Sequence, residues 1–282
     1  YQGLLVALIA VDEPEDDKPG RHHRAVESPA ILPVEDVAAG LRQFDVRLDG
    51  IDIVSVRTRL ISDVADGPAP NDAKPECRAP VDQLSTWLVL RMDPQRNVAG
   101  VAARDSVAST FAAAVERLAH GLDGRHRAAR PLTGVEVAEV DTAVLAGLQP
   151  TWHRPGWRLL RHFTGYATSF WVSPRDLTSG PLERLWLPDT DATVVTIRLN
   201  IHRGQPEVSA WVRYHSGSPL QRDMCSGLNR LLGRQLAAVR ASMPAPSQRP
   251  PLVVPVRSLG DHEQLAVPLG QLPEQSLSLA ET

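Results

Sequence analysis

Apolar positions gather along this chain in short dense runs separated by polar, proline-bearing stretches, and the runs follow two different periods. Residues 3–11 are almost wholly apolar. Nine residues fall short of the about 20 that a membrane-spanning helix needs, so the run predicts a buried strand. Residues 51–57 and 86–91 are rich in β-branched and aromatic side chains and predict two more strands. Val34, Val37, Ala38, Leu41 and Phe44 recur at three and four residues behind Pro33, which predicts one face of a short helix. A longer helix over 101–121 carries Val107, Phe111, Val115, Leu118 and Leu122 as its stripe, with Gly121 or Gly124 to stop it. Residues 128–132 read as an extended piece. Thr133 or Gly134 then opens a helix with Glu136 and Glu139 near its positive end, Val137, Val140, Val144, Leu145 and Leu148 on its buried side, and Pro150 beyond it.

The second half predicts a strand over 165–171, a short helix around 181–186, and a hairpin of 193–202 with 207–215 across Arg203-Gly-Gln205. Leu228, Leu232, Leu236 and Val239 fall on one line and predict a helix over 222–243, followed by a strand at 252–256. Strand–helix units of this kind predict an α/β fold: a mixed sheet flanked by helices, with a C-terminal hairpin plus helix. The polar stretches 12–33 and 61–84 read as mobile loops and 270–282 as a tail, within a single soluble α/β domain over residues 1–282.

With 282 residues the chain can bury a sizeable core. A net charge of −3 argues against a nucleic-acid binder, which needs a basic excess to neutralise phosphates. Lys18 and Lys74 are the only lysines, the other basic residues being arginine. Cys77 and Cys225 lie in a loop and near a helix start, which predicts two free thiols.

No motif for catalysis emerges. His262-Glu263 begins like a zinc-protease helix but has Ala266 where the second imidazole belongs. The run from Gly227 to Gly233 resembles a phosphate loop, yet it has five intervening residues, no lysine, and leucines at core spacing. His120, His126, His153, His162 and the pair His22 and His23 lack ligand spacing and read as solvated. Asp189-Thr-Asp191 can in principle hold a divalent ion against a nucleotide-sugar diphosphate, which gives the alternative reading of a metal-dependent transferase using Asp189 and Asp191. A turn before a strand also accounts for it. Trp152, Arg154 and Trp157 share a Pro/Gly segment, where aromatics either plug a core or anchor a partner; they are the candidate partner contact.

Asp45-Val-Arg-Leu-Asp-Gly-Ile-Asp-Ile-Val-Ser-Val56, Thr86-Trp-Leu-Val-Leu-Arg-Met-Asp-Pro94, Ala103-Arg-Asp-Ser106, residues 165–186 and Leu228-Asn-Arg-Leu-Leu-Gly-Arg-Gln235 together resemble the EccE family of the mycobacterial type VII (ESX) secretion machinery, nearest to its branch in the fifth ESX system. The resemblance implies a structural subunit, assembled with EccB, EccC and EccD components into an inner-membrane complex that exports proteins. It also implies a sheet likened to glycosyltransferase-type α/β folds, two transmembrane helices upstream of Tyr1, and this domain on the cytoplasmic side. It carries over no catalytic residues, no cofactor and no metal.

Overall fold

A computed structural model of the chain describes residues 3–13, 30–60, 81–102, 106–124, 127–149, 154–186, 188–221, 225–244, 252–260 and 264–270. Most of loop 12–33, nearly all of 61–84 and the tail beyond Gly270 therefore lie outside the described residues, as do Trp152, Cys77, His22, His23, His126, His153, His262 and Glu263.

The chain opens with β1 (Leu5–Asp12), then β2 (Ile31–Pro33) and helix α1 (Val34–Ala39). Helix α1 stops earlier than its apolar period predicts, at Gly40, which lies so close to α3 that a Cβ there would be 2.7 Å from Leu118 Cδ1. The chain turns instead into the small hairpin β3 (Arg42–Gln43) and β4 (Val46–Arg47), with Phe44 at φ 55° and exposed. Two long strands follow, β5 (Gly50–Leu60) and β6 (Val81–Met92), the second reclaiming residues 81–84 from the expected loop. The helix expected over 101–121 is two pieces, α2 (Val98–Ala102) and α3 (Val107–Leu122). Ser106 caps the second by accepting the Ser109 N–H at 3.0 Å, which fixes its start. Next come β7 (Ala128–Pro131) and α4 (Gly134–Leu145), whose capping box has Glu136 accepting the Thr133 N–H at 2.8 Å and pushed down to about 2 by that bond.

The far half begins with β8 (Arg154–Pro155), β9 (Leu160–His162) and β10 (Gly165–Trp171), then α5 (Ser179–Arg184). The predicted hairpin is β11 (Ala192–His202) and β12 (Gln205–Ser216). The predicted helix over 222–243 shrinks to α6 (Gln235–Ser242), preceded by β13 (Asn229–Arg230). Gly227 and Gly233 hold φ near 84° and 68°, outside the helical region, and break the leucine line. Residues 252–256 form no ladder; pairing resumes only at β14 (Arg257–Ser258), and β15 (Ala266–Pro268) pairs with β2.

Eleven strands form one sheet, ordered β7-β1-β6-β5-β11-β12-β10-β9-β8, with β13 on β10 and β14 on β12. The chain is thus an α/β body with a sheet flanked by helices, and every described ladder is antiparallel. Ile9, Leu88, Ile53, Ile197 and Ala210 are successive register partners across five strands and face one side. Helices α1, α3 and α5 cover that side through Val37, Phe111, Val115, Leu118, Leu182 and Leu185. Burial of each such large side chain contributes roughly 1.5–3 kcal/mol. On the opposite side α4 brings Val140 and Val144 to Leu8, Val54, Val89 and Val194, and α6 brings Ala238 and Ala241 to Trp211.

That second face also buries charge. Arg198 accepts no slack: its Nε and Nη2 reach the two oxygens of Asp52 at 2.8 and 2.9 Å, and Arg91 reaches the same carboxylate at 2.7 Å. Nearer the far end, fully buried Arg213 donates from Nε to His215 Nε2 at 2.8 Å and from Nη2 to the Val144 carbonyl. Burial pushes Arg213 down to about 9. Burial first, then Arg213 and His162, holds the His215 imidazole well below its usual range. His215 accepts the guanidinium proton, so it is neutral in the fold, while in the unfolded chain it protonates near pH 6.5. Its contribution is therefore complete above pH 6.5 and is lost as pH falls below that value. Calorimetry is expected to show about 1 kcal/mol less stability at pH 5.5 than at pH 6.5 from this residue, or a Tm about 2 °C lower. The loss should flatten in His215→Gln.

Candidate protein-interaction surface

Two places on this body gather the candidate residues. The first is a cleft of ≈ 630 Å³ lined by Val172, Asp176, Arg184, Asp189, Tyr214 and Leu228 among others. Asp189 reaches it, but its carboxylate is engaged by the Arg59 guanidinium. The Thr190 hydroxyl is buried against Thr193 at 2.9 Å, the Asp191 N–H donates to the His215 carbonyl at 2.9 Å, and the Asp191 carbonyl accepts from Arg59 N at 3.1 Å. The tripeptide therefore is the turn that delivers β11 into the sheet, with Asp191 absent from the cleft lining. Among the described residues no group of three His, Cys, Asp or Glu side chains is placed to hold a metal ion. Behind the cleft Arg57 donates to the carbonyls of Trp186 and Pro188, the latter at 2.7 Å, and the Tyr214 hydroxyl donates to Leu185 at 3.0 Å. Burial pushes that phenol up. These polar groups hold the α5 segment in place and point none of their protons at the opening.

Cys225 is a buried free thiol pushed up by burial, as a structural cysteine is. His162 is half-buried, 5.9 Å from the His215 ring, so the expectation of solvated histidines fails there and holds at exposed His120.

The second place is the sheet edge beyond β10. Its backbone is closed in three steps: β9 pairs with residues 165–167, the buried Gln235 side chain takes both polar groups of Ser169, and β13 pairs with Phe170 and Trp171. Gln235 accepts the Ser169 N–H at 2.7 Å and donates back to its carbonyl at 3.2 Å, replacing one rung of a ladder. Outside β9 lies β8, joined to it by a turn in which Gly156 N–H donates to Leu159. At the tip of that turn stands Trp157, 70% exposed, its carbonyl accepting the Gly233 N–H at 2.7 Å. Its ring lies flat enough on the Gly233 backbone that a Cβ there would sit 2.8 Å from it. Leu232 beside it is 47% exposed, and Phe163 in the next turn is 98% exposed.

Of the expected contact residues, then, Trp157 stands on the surface and Arg154 opens β8, while Trp152 lies outside the described residues. The alternatives of core plug and exposed anchor resolve for Trp157 in favour of exposure. Sequence reading missed its companions: exposed Arg158, Arg161 and Arg234, with Phe163 and Leu232. Arg161 stacks on Tyr166 at 5.5 Å, and Arg234 donates to the Val253 carbonyl at 2.9 Å. A signal for them exists in the sequence, because residues 142–175 and 224–260 contain no aspartate or glutamate at all but nine arginines. Those two segments supply β8, β9, β10, β13, α6 and β14, which are neighbours at this end.

A family model described as "Putative type VII ESX secretion system translocon, EccE" matches residues 81–172. The ESX-5 secretion system protein EccE5 of Mycobacterium tuberculosis is 55% identical over 291 positions, covering 99% of this chain and 72% of that protein. The chain belongs to the EccE family. EccE5 of Mycobacterium marinum is 52% identical with the same coverage, and the ESX-2 protein EccE2 of Mycobacterium tuberculosis is 26% identical over 80% of this chain and 43% of that protein. The part that the EccE model matches runs from the start of β6 to the end of β10 and so includes β7 at one end of the sheet and β8, β9 and β10 at the aromatic end.

The seating of Trp157 generates a test. Gly233→Ala places a methyl group against the indole at a left-handed φ, and it is expected to cost about 1–3 kcal/mol and to move the ring. Tryptophan emission should shift in Gly233→Ala and not in Gly233→Ala made on a Trp157→Phe background.

Proposed function

We propose that this chain is a structural subunit of a type VII secretion machinery of the ESX-5 class, acting by contact with other core components of the EccB, EccC and EccD types and not by catalysis. The observation that carries the reading is the 55% and 52% identity, over 99% of this chain, to two proteins named as ESX-5 secretion components. The site chemistry supports it: in the cleft the one aspartate of the D-x-D that faces in is engaged by Arg59, and the buried polar groups serve the fold. No helix of the described residues is long and apolar enough to cross a membrane. The body is proposed to lie at the inner membrane, on its cytoplasmic side, as part of the membrane complex. Its contact with neighbouring subunits is assigned to the hairpin of Arg154 and Trp157, with Trp152 next to it in sequence.

Deleting the coding region for residues 1–282 from the chromosomal gene is expected to abolish export by the ESX-5 class machinery or to remove subunits from the purified membrane complex. Normal assembly and normal secretion in that strain would overturn the proposal. Within an otherwise intact subunit, Trp157→Ala should weaken retention in the complex by roughly thirtyfold, the ~2 kcal/mol of an interface hot spot. Its circular dichroism and Tm should stay near the parent values, since the side chain is mostly in water.

A further inference from the structure

Charge on this chain is divided in space. Residues 142–175 and 224–260 hold nine of the thirty basic residues and none of the thirty-three acidic ones, so that part carries +9 and the remainder −12, within a total of −3. Chain topology brings both segments to one end of the sheet, since β13 pairs with β10 and α6 packs on β10 through Gln235. Here the exposed apolar groups Trp157, Leu232 and Phe163 alternate with exposed Arg158, Arg161 and Arg234. Among the described residues none of these three arginines makes an ion pair.

We infer that this edge takes an acidic segment of a neighbouring protein subunit, one that sets carboxylates against Arg158, Arg161 and Arg234 around an apolar side chain seated on Trp157 and Leu232. The inference rests on the proposed role as a subunit working by contact and names the chemistry of the partner. Charge complementarity decides the sign: an edge whose two contributing segments carry nine arginines and no carboxylate, with Asp191 the acidic group felt at His162, attracts a negative partner and repels basic ones. Fixed geometry decides between a protein and a lipid surface. Arg161 is held against the Tyr166 ring and hydroxyl, Arg234 is anchored to the Val253 carbonyl, and Trp157 is laid on Gly233. Guanidinium forks oriented in this way match the plane of a carboxylate, whereas a fluid anionic bilayer asks only for charge and for aromatics free to insert. A preordered aromatic with little rotamer freedom left to lose suits a folded partner.

The test uses the complete subunit in its detergent-solubilised membrane complex. Arg158→Glu, Arg161→Glu and Arg234→Glu combined are expected to reduce co-purification with the other components at least tenfold, and Arg-to-Lys changes at the same positions much less. Retention of the parent should fall between 0.15 M and 1 M salt, as screening shortens from about 8 Å to about 3 Å. Circular dichroism should report an unchanged fold, the three side chains being exposed. If Trp157→Ala releases the subunit and the triple reversal does not, the acidic partner is wrong while the contact role stands. If neither releases it, both fall. Two further outcomes overturn the inference in favour of another occupant: reversal-sensitive pelleting with phosphatidylglycerol vesicles together with undisturbed retention, or reversal-sensitive self-association of the purified subunit in sedimentation.

Discussion

Asp52 is the residue from which the geometry of the sheet is set. It lies directly opposite Arg198 in the β5–β11 ladder, and Arg91 from β6 closes on the same carboxylate, all three nearly shut off from water. Two guanidiniums on one carboxylate leave a surplus of positive charge, which the Ala241 carbonyl at 3.1 Å and the Trp211 ring at 4.7 Å absorb from either side of Arg198. Slipping either strand by one residue would turn these side chains to the opposite face and bury unpaired ions, at a cost of several kcal/mol. Three central strands and α6 are therefore fixed relative to one another. The outer strands are then laid down from β11 through β12, so the position of the aromatic edge descends from this buried contact.

What could be read from the sequence follows the range of the interaction. Period and local chemistry revealed β1, β5, β6, β10 and the β11–β12 hairpin, and Thr133 or Gly134 with acidic residues just behind announced the start of α4, where the structure closes a capping box of Thr133 and Glu136 within four residues. Errors occurred where a distant partner overruled a local pattern. Phe44 fits the apolar face of α1, but the pairing of β3 with β4 places it at the tip of a hairpin, with φ 55° and its ring exposed. The leucines of 228–236 fit a helix, but Gln235 is needed to satisfy Ser169, sixty-six residues away, and Gly233 must yield room to the Trp157 ring. Asp52 looks like an interruption in an apolar strand until Arg198 is placed across from it. The arginines of the edge were legible in principle, as an absence of carboxylates over two long segments, because charge depletion is a property of composition and needs no knowledge of the fold.

The two faces of the sheet divide the labour. One is apolar from Ile9 to Ala210 and carries the larger part of the hydrophobic stabilisation. The other mixes small apolar clusters with paired ions and the Arg213–His215 couple, in which Arg213 Nε and Nη2 reach His215 and the Val144 carbonyl while Arg213 Nη1 and His215 Nδ1 are buried without a partner among the described residues. Directed inward, such groups specify a single arrangement of α4 and α6 over the strands.

The form of the far edge narrows what that surface can accept. Sheet edges commonly recruit partners by adding a strand, through a row of unpaired N–H and C=O groups. Among the described residues β8 offers two, one of them Pro155 without an N–H, and the stretch of β10 that β9 leaves open is closed by the Gln235 amide and by β13. With the ladder denied, an incoming chain can be recognised only by what projects beyond it, the indole of Trp157, the ring of Phe163 and the guanidiniums between them. In the proposed contact role, the same features that prevent indiscriminate strand pairing leave recognition to side chains, whose charge and shape can discriminate among neighbours in a way that backbone hydrogen bonds cannot.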